Sequence, residues 1–219
     1  GCIINKVGAP PKGNKRVSAD DNVSGWEVQE RSFEDFKRKT PVFNHKNFRC
    51  LGIIHWNPHF VAPRTQDIAN SVSARIVNAG QMDTRRVSNV VLCARTVPNM
   101  LYALKAGTLI VTPGDRIDIL LAASQAVLNG VPLAGILFTG EMVPDEKVLQ
   151  LCRGAFNTGL PVLVTRYDSL ETVQLLDGMN NEVPADDVPR MLEVMDEVAR
   201  SIDIKWLAER AALPQDSRM

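Results

Sequence analysis

The sequence predicts an α/β protein with a mainly parallel sheet and flanking helices. Three observations carry this expectation. From Val90 onward, short apolar and β-branched runs alternate with helical patterns, the rhythm of successive βαβ units. One stretch, Ala106–Gly140 (AGTLIVT-PGDR-IDILLAASQAVLNG-VPLAGILFTG), reads in order as strand, tight turn, helix and strand. A hydrophobic content of 45% over 219 residues is enough for a sizeable core in one or two domains.

Taken in order, Cys2–Asn5 is predicted as a strand. Gly8–Asn47 is a long loop, rich in Gly, Pro and charge, with one short helix near Ser32–Arg38. Phe48–Trp56 is a strand, closed by Asn57-Pro58. Ile68, Val72 and Ile76 recur at four-residue spacing, so Thr65–Asn78 is predicted as one helix. Gln81–Val87 is a polar connection and the expected domain boundary. Val90–Ala94 is a strand and Val97–Lys105 a short helix. Thr108–Thr112 suits a buried parallel strand. Asp115 is placed to cap the following helix, and Asp118 adds negative charge in its first turn. That helix has apolar residues on nearly every face (Ile117, Ile119, Leu120, Leu121, Val127, Leu128), the pattern of a buried helix. Asn129-Gly130 stops it, and Leu133–Thr139 is the next strand. Asp145–Thr158 is a helix and Pro161–Thr165 a strand. Ser169–Leu176 is a helix capped by Asp168 or Ser169. Asp186–Ile202 is an amphipathic helix, Ile204–Leu213 a further helical segment, and 214–219 a polar linker.

Lys+Arg and Asp+Glu balance at 25 each, so bulk charge points to neither nucleic acid nor an anionic membrane. No apolar run reaches the about 18 residues that a membrane helix needs. Four cysteines, at 2, 50, 93 and 152, form no C-x-x-C motif. They read as reduced thiols of a cytoplasmic compartment, or of an organelle matrix in a eukaryote. The chain starts at the edge of a strand, without Met, as the interior of a larger protein would.

Several motifs point to chemistry and stop short of it. Gly8–Lys15 approaches a phosphate loop, but its Lys is one place late, no Ser or Thr follows, and two prolines remove donors. His55 and His59 have zinc-pair spacing, yet Pro58 opposes a helix there and no carboxylate lies between them. Asp145-Glu146 and Asp186-Asp187 sit where helix N-termini are expected and read as caps. All three histidines precede residue 60, so no Ser/His/Asp or Cys/His set is available to the second half, and no cofactor or metal is expected. Asp115-Arg116 stands apart. In an α/β unit, ligands gather beyond the carboxyl ends of strands, and Arg presents a fork to phosphate or carboxylate. Thr139-Gly140 ends the next strand at the same edge, so the two turns are expected to flank a small crevice. The other reading is an Arg–carboxylate pair that fixes loop geometry. A small-molecule site is placed at Thr112, Asp115, Arg116, Thr139 and Gly140, with Arg116 holding an anionic group and Asp115 fixing the turn.

Residues 88–210 resemble the middle, DRTGG-type domain of long-form phosphate acetyltransferases. The resemblance rests on Asp115-Arg116 within VTPGDRIDILLAA and on Thr139-Gly140 within ILFTGE. It extends through Gly80–Val87, Cys93-Ala94-Arg95, Leu151–Pro161 and Glu182–Asp187. Glu141 departs from it, standing where the family name has a second Gly. Residues 1–80 resemble, less tightly, the later strands and helix of a dethiobiotin-synthetase-like P-loop domain. The resemblance implies three segments: 1–83 as the end of the P-loop-like domain with its long loop at 8–47, 84–213 as the DRTGG-like domain, and 214–219 as a linker to an acetyltransferase domain. It implies a parent enzyme that interconverts acetyl-CoA and phosphate with acetyl phosphate and CoA. Within that enzyme this chain is expected to be a non-catalytic regulatory and oligomerising region, its partners being other copies, the catalytic domain and a small anionic effector. Two other classes stay open: a free-standing module binding an anionic metabolite or nucleotide, and a nucleotide-dependent ligase of the dethiobiotin synthetase type.

Overall fold

The computed structural model describes residues 1–7, 38–46, 48–180 and 182–211. The near-phosphate loop at Gly8–Lys15, nearly all of the short helix expected near Ser32–Arg38, and the linker 214–219 lie outside these. In chain order the strands are β1 (Cys2–Val7), β2 (Cys50–His55), β3 (Arg75–Asn78), β4 (Asn89–Leu92), β5 (Thr108–Pro113), β6 (Gly135–Thr139) and β7 (Val162–Val164). The helices are α1 (Pro58–Val61), α2 (Thr65–Ser71), α3 (Ile117–Leu128), α4 (Glu146–Leu151), α5 (Arg153–Asn157), α6 (Ser169–Asp177), α7 (Val188–Ser201) and α8 (Ile204–Ala211). They divide into two compact units, Gly1–Phe60 with Val183–Met219, and Val61–Glu182. The expected boundary after residue 83 falls inside the second unit.

In the first unit β1 and β2 pair in parallel, with Cys2 opposite Cys50. Both thiols are free and half-buried. Helix α7 packs on β2. The approach is close because Gly52 has no side chain: a Cβ there would stand 2.2 Å from the Ser201 carbonyl oxygen. Arg49 fastens the same corner. Its guanidinium lies 2.7 Å from the Asp203 carboxylate and 5.4 Å from the centre of the Trp206 ring. Asp187 precedes α7 as expected, but its carboxylate makes no cap hydrogen bond and lies 3.9 Å from Arg190.

The second unit is a five-stranded sheet in the order β3-β7-β6-β5-β4. Strands β4 to β7 run parallel, and β3 closes the β7 edge antiparallel. The predicted α/β class, with its mainly parallel sheet and flanking helices, is the one observed. Strands β5, β6 and β7 read as unbroken apolar runs because both sheet faces are covered. Ile110, Ile136, Phe138, Val162 and Val164 point into a layer closed by α3 and by the segment holding Cys152 and Ala155. Leu109, Val111, Leu137 and Leu163 point into a second layer, closed by Ile68, Ala69 and Val72. Burying each such side chain is worth about 1.5–3 kcal/mol, so these two layers dominate the stability of the unit.

Four predicted elements differ. The helix expected over Thr65–Asn78 ends at Ser71. Ser73 turns through φ +47 and Arg75–Asn78 becomes β3. The four-residue apolar spacing was misleading because Ile76, half exposed, supports no helical core face. What decides the segment is the open backbone edge of β7, which β3 satisfies. The helix expected over Val97–Lys105 is instead two 3-10 turns, Val97–Asn99 and Leu101–Ala103, parted at buried Met100. The helix expected over Asp145–Thr158 breaks at Cys152 into α4 and α5. Its Asp145 cap is present, accepting from the Lys147 N–H. Lastly, α3 is not buried all round. Ile117 and Leu121 are more than a third exposed and Leu128 more than half. Asp115 does not cap α3; Arg116 is its N-cap residue, with no side-chain cap bond.

Candidate functional site

The carboxyl ends of the parallel strands bring the sequence-predicted residues to one edge of the sheet. Apart from the exposed Asp115 carboxylate, they arrive with polar groups already engaged. Thr112 ends β5, is fully buried, and donates its hydroxyl to the Cys93 carbonyl at 3.1 Å. The chain then turns sharply at Pro113-Gly114, where the Arg116 N–H bonds the Pro113 carbonyl at 3.1 Å. Arg116 reaches back across β5 to the end of β4. It donates Nη1 to the Ala94 carbonyl (3.0 Å) and Nη2 to the Arg95 carbonyl (2.7 Å). Its Nε and Nη2 also grip both oxygens of Asp118, at 2.9 and 2.8 Å. The bidentate pair raises the Arg116 pKa and lowers that of Asp118, chiefly through this hydrogen bond. Asp115, exposed beside it, adds to the field on Arg116. In the structure the carboxylate partner of Arg116 is Asp118.

Thr139 ends β6, buried, with its hydroxyl 2.8 Å from that of Ser169. Gly140 follows at φ +75 and Glu141 at φ +59. Two left-handed residues in succession bend the chain towards the end of β7. There the Gly140 N–H bonds the Tyr167 carbonyl and the Glu141 N–H bonds the Thr165 carbonyl, both at 2.8 Å. Where a crevice was expected, the β5 and β6 turns approach each other closely. Gly114 lies so close to Met142 that an added Cβ would stand 2.0 Å from the Met142 carbonyl oxygen.

An open recess lies one strand further along. A cavity of about 170 Å³ is lined by Ser73, Arg75, Glu141, Val164, Thr165 and Arg166. Arg75 is placed by its register opposite Val164, and among the described residues its guanidinium has no hydrogen-bond or ion-pair partner. Arg166 lies with its guanidinium 5.1 Å from the centre of the Tyr167 ring and donates to its hydroxyl at 3.2 Å. The pKa of Arg166 is raised, first by that hydrogen bond, with Glu141 contributing. Thr165 is buried and donates its hydroxyl to the Val72 carbonyl at 2.8 Å, tying β7 to the end of α2. Sequence reasoning missed Arg75 because it lay inside an expected helix. Arg166 had a readable signal: it directly follows a parallel strand at the ligand-bearing edge. Among the described residues, no group of three His, Cys, Asp or Glu side chains is placed to hold a metal ion. Among the same residues no helix is long and apolar enough to cross a membrane.

The DRTGG domain model matches residues 67–179. That is more than half of the chain, and it spans the sheet and both turns just described. The chain belongs to the DRTGG domain family. The motif letters that it keeps are Asp115-Arg116, the clamp, and Thr139-Gly140, the turn onto β7, with Glu141 as the departure. Around the DRTGG domain the similarity is longer. The whole chain aligns with the phosphate acetyltransferase of Pseudomonas aeruginosa at 44% identity over 223 positions, and with that of Escherichia coli at 35%. The Deinococcus radiodurans enzyme is 40% identical over 180 positions, covering 82% of this chain. The chain fits a fragment of such a long-form enzyme, spanning 30% of the length of the first two relatives. The structure also resembles, with TM-score 0.45 and 15% identity, the CBS and DRTGG domains of the regulatory region of Clostridium perfringens pyrophosphatase, solved with the activator diadenosine tetraphosphate. That match covers 72% of this chain and 69% of the other.

Proposed function

We propose that this chain is the regulatory and oligomerising region of a phosphate acetyltransferase, and that it performs no acetyl transfer itself. The parent enzyme interconverts acetyl-CoA and phosphate with acetyl phosphate and CoA, using a catalytic domain elsewhere in the same polypeptide. The observation that carries this reading is how Arg116 is used. Its fork is spent on Asp118 and on two carbonyls at the end of β4, joining strand ends into a rigid frame rather than meeting a reacting group. Thr112, Asp115, Arg116, Thr139 and Gly140 are then the frame of the effector-facing edge. The bacterial relatives at 35–44% identity support the assignment to the parent enzyme.

The test is deletion of this region from the parent enzyme. The expected result is retained acetyl phosphate formation, with a lost response to anionic effectors and a smaller assembly by light scattering. Acetyl phosphate formation by the isolated chain would overturn the reading. So would a deleted enzyme whose regulation and assembly match the intact one.

A further inference from the structure

We propose that the recess between the ends of β6 and β7 and the start of β3 is a binding site for a phosphate oxyanion, with Arg75 and Arg166 as its cationic walls. Three observations converge on it. The first is charge placement. Arg75 sits opposite Val164, two residues before Arg166, and both arginines line the one cavity. Glu141 supplies one negative charge at the rim, which leaves the three charged walls at net +1. Arg75 has no partner among the described residues, so its full fork is open to an incoming oxyanion.

The second observation is backbone strain. Ser73 and Glu141 are two of the three non-glycine residues with positive φ among those described, and both line this cavity. Holding such residues left-handed costs roughly 1–2 kcal/mol each. Strain of this kind gathers at ligand clamps. Here it points Ser73 and Glu141 into the walls of one recess. The third observation is size and position. About 170 Å³ is below the roughly 300–1,000 Å³ of sites for larger ligands. It admits a compact anion with hydrogen-bonding groups around it. The recess also lies at the carboxyl edge of the parallel strands, where α/β folds bind ligands. Arg166 is held by Tyr167 without losing its charge, and Ser73 offers a hydroxyl.

The oxyanion is either free phosphate or the phosphoryl group of a small metabolite. Calorimetric titration of the full chain at low salt, with inorganic phosphate and separately with glycerol 3-phosphate, distinguishes the two sources. Saturable binding of either is expected. Arg75→Gln and Arg166→Gln each weaken it by about tenfold, the worth of a charge-assisted hydrogen bond. Glu141→Gln, which removes the opposing charge, strengthens it, while Arg153→Gln leaves it unchanged. Far-UV circular dichroism confirms that each variant is folded; both arginines are exposed, so folding is expected to survive. Absence of binding by both probes, or equal affinity in the wild type and the two arginine variants, overturns the site. Binding itself does not rest on the regulatory reading; its consequence does. If the arginine variants lose binding but the parent enzyme carrying them keeps its effector response, the site stands and that reading of its role falls.

Discussion

Replacing Arg116 with Ala tests whether the most conspicuous residue of the motif is a structural clamp. Arg116 makes two hydrogen bonds to main-chain carbonyls and a bidentate pair with Asp118. The Asp118 side chain is 47% exposed, so water competes for the pair and its net worth is about 0–1 kcal/mol. The two carbonyl bonds come from a charged donor that is itself mostly covered. After water satisfies the abandoned oxygens they are worth roughly 1 kcal/mol each. The expected loss is therefore about 2 kcal/mol without any ligand present, or roughly 4–8 °C in melting temperature for a chain of this size. Urea unfolding followed by circular dichroism reads it as a lowered midpoint at unchanged slope. Arg116→Lys, which keeps charge but not the fork, is expected to recover less than half. The acid limb gives a second readout. Arg116 holds the Asp118 carboxyl below its ordinary value. A group depressed in the folded state adds stability above its unfolded pKa, and this is lost as pH falls through the folded value. That part of the acid loss disappears in Arg116→Ala. A change in stability under about 0.5 kcal/mol, with an unaltered acid limb, would refute the clamp.

Gly114→Ala forces a Cβ to within 2.0 Å of the Met142 carbonyl oxygen. It is expected to cost about 1–3 kcal/mol as the β5 and β6 turns separate, read by the same urea midpoint. Glu141→Gly removes a left-handed non-glycine residue at φ +59. It is expected to gain roughly 0.5–1 kcal/mol, the left-handed cost less the added chain entropy of Gly, seen as a higher melting temperature. Thr165→Val leaves the Val72 carbonyl without its buried donor and is expected to lose about 1–3 kcal/mol. Burial pushes the Cys93 thiol up to about 11, against the opposing field of Arg116. Iodoacetamide at pH 8 should therefore label Cys93 only on unfolding, while half-buried Cys2 and Cys50 react first by peptide mass mapping.

Much of the second unit could be read locally. Gly107, Pro113-Gly114 and Asn129-Gly130 punctuate one βαβ unit, and strand-length apolar runs between such breakers have few other folds. The caps at Asp145 and Asp168 could be read for the same reason, since each serves a donor three residues away or nearer. What failed was every assignment in which a distant partner outweighed local spacing. Ile68, Val72 and Ile76 satisfy a helical period, but β3 forms because β7, some ninety residues on, offers an unpaired edge. The Val97–Lys105 segment has helical composition, yet buried Met100 draws it off the helical path. The all-apolar α3 suggested burial on every side, whereas a helix on one face of a sheet is covered only where a neighbour exists.

The site divides along the same line. Residue types at short spacing drew attention to the Asp115-Arg116 and Thr139-Gly140 turns, because glycine, a fork-shaped cation and a β-branched strand end are local signatures. Their partners are not local. Arg116 meets carbonyls more than twenty residues back. Gly114 lies close against the Met142 backbone. The recess brings together Arg75 of β3 and Arg166, just beyond the end of β7, across an antiparallel pairing that no periodicity in the chain announces. Composition and order thus select the sheet and its direction. Which cations on that edge are consumed by the protein and which face water depends on cross-strand register, a property of long-range pairing rather than of neighbouring residues.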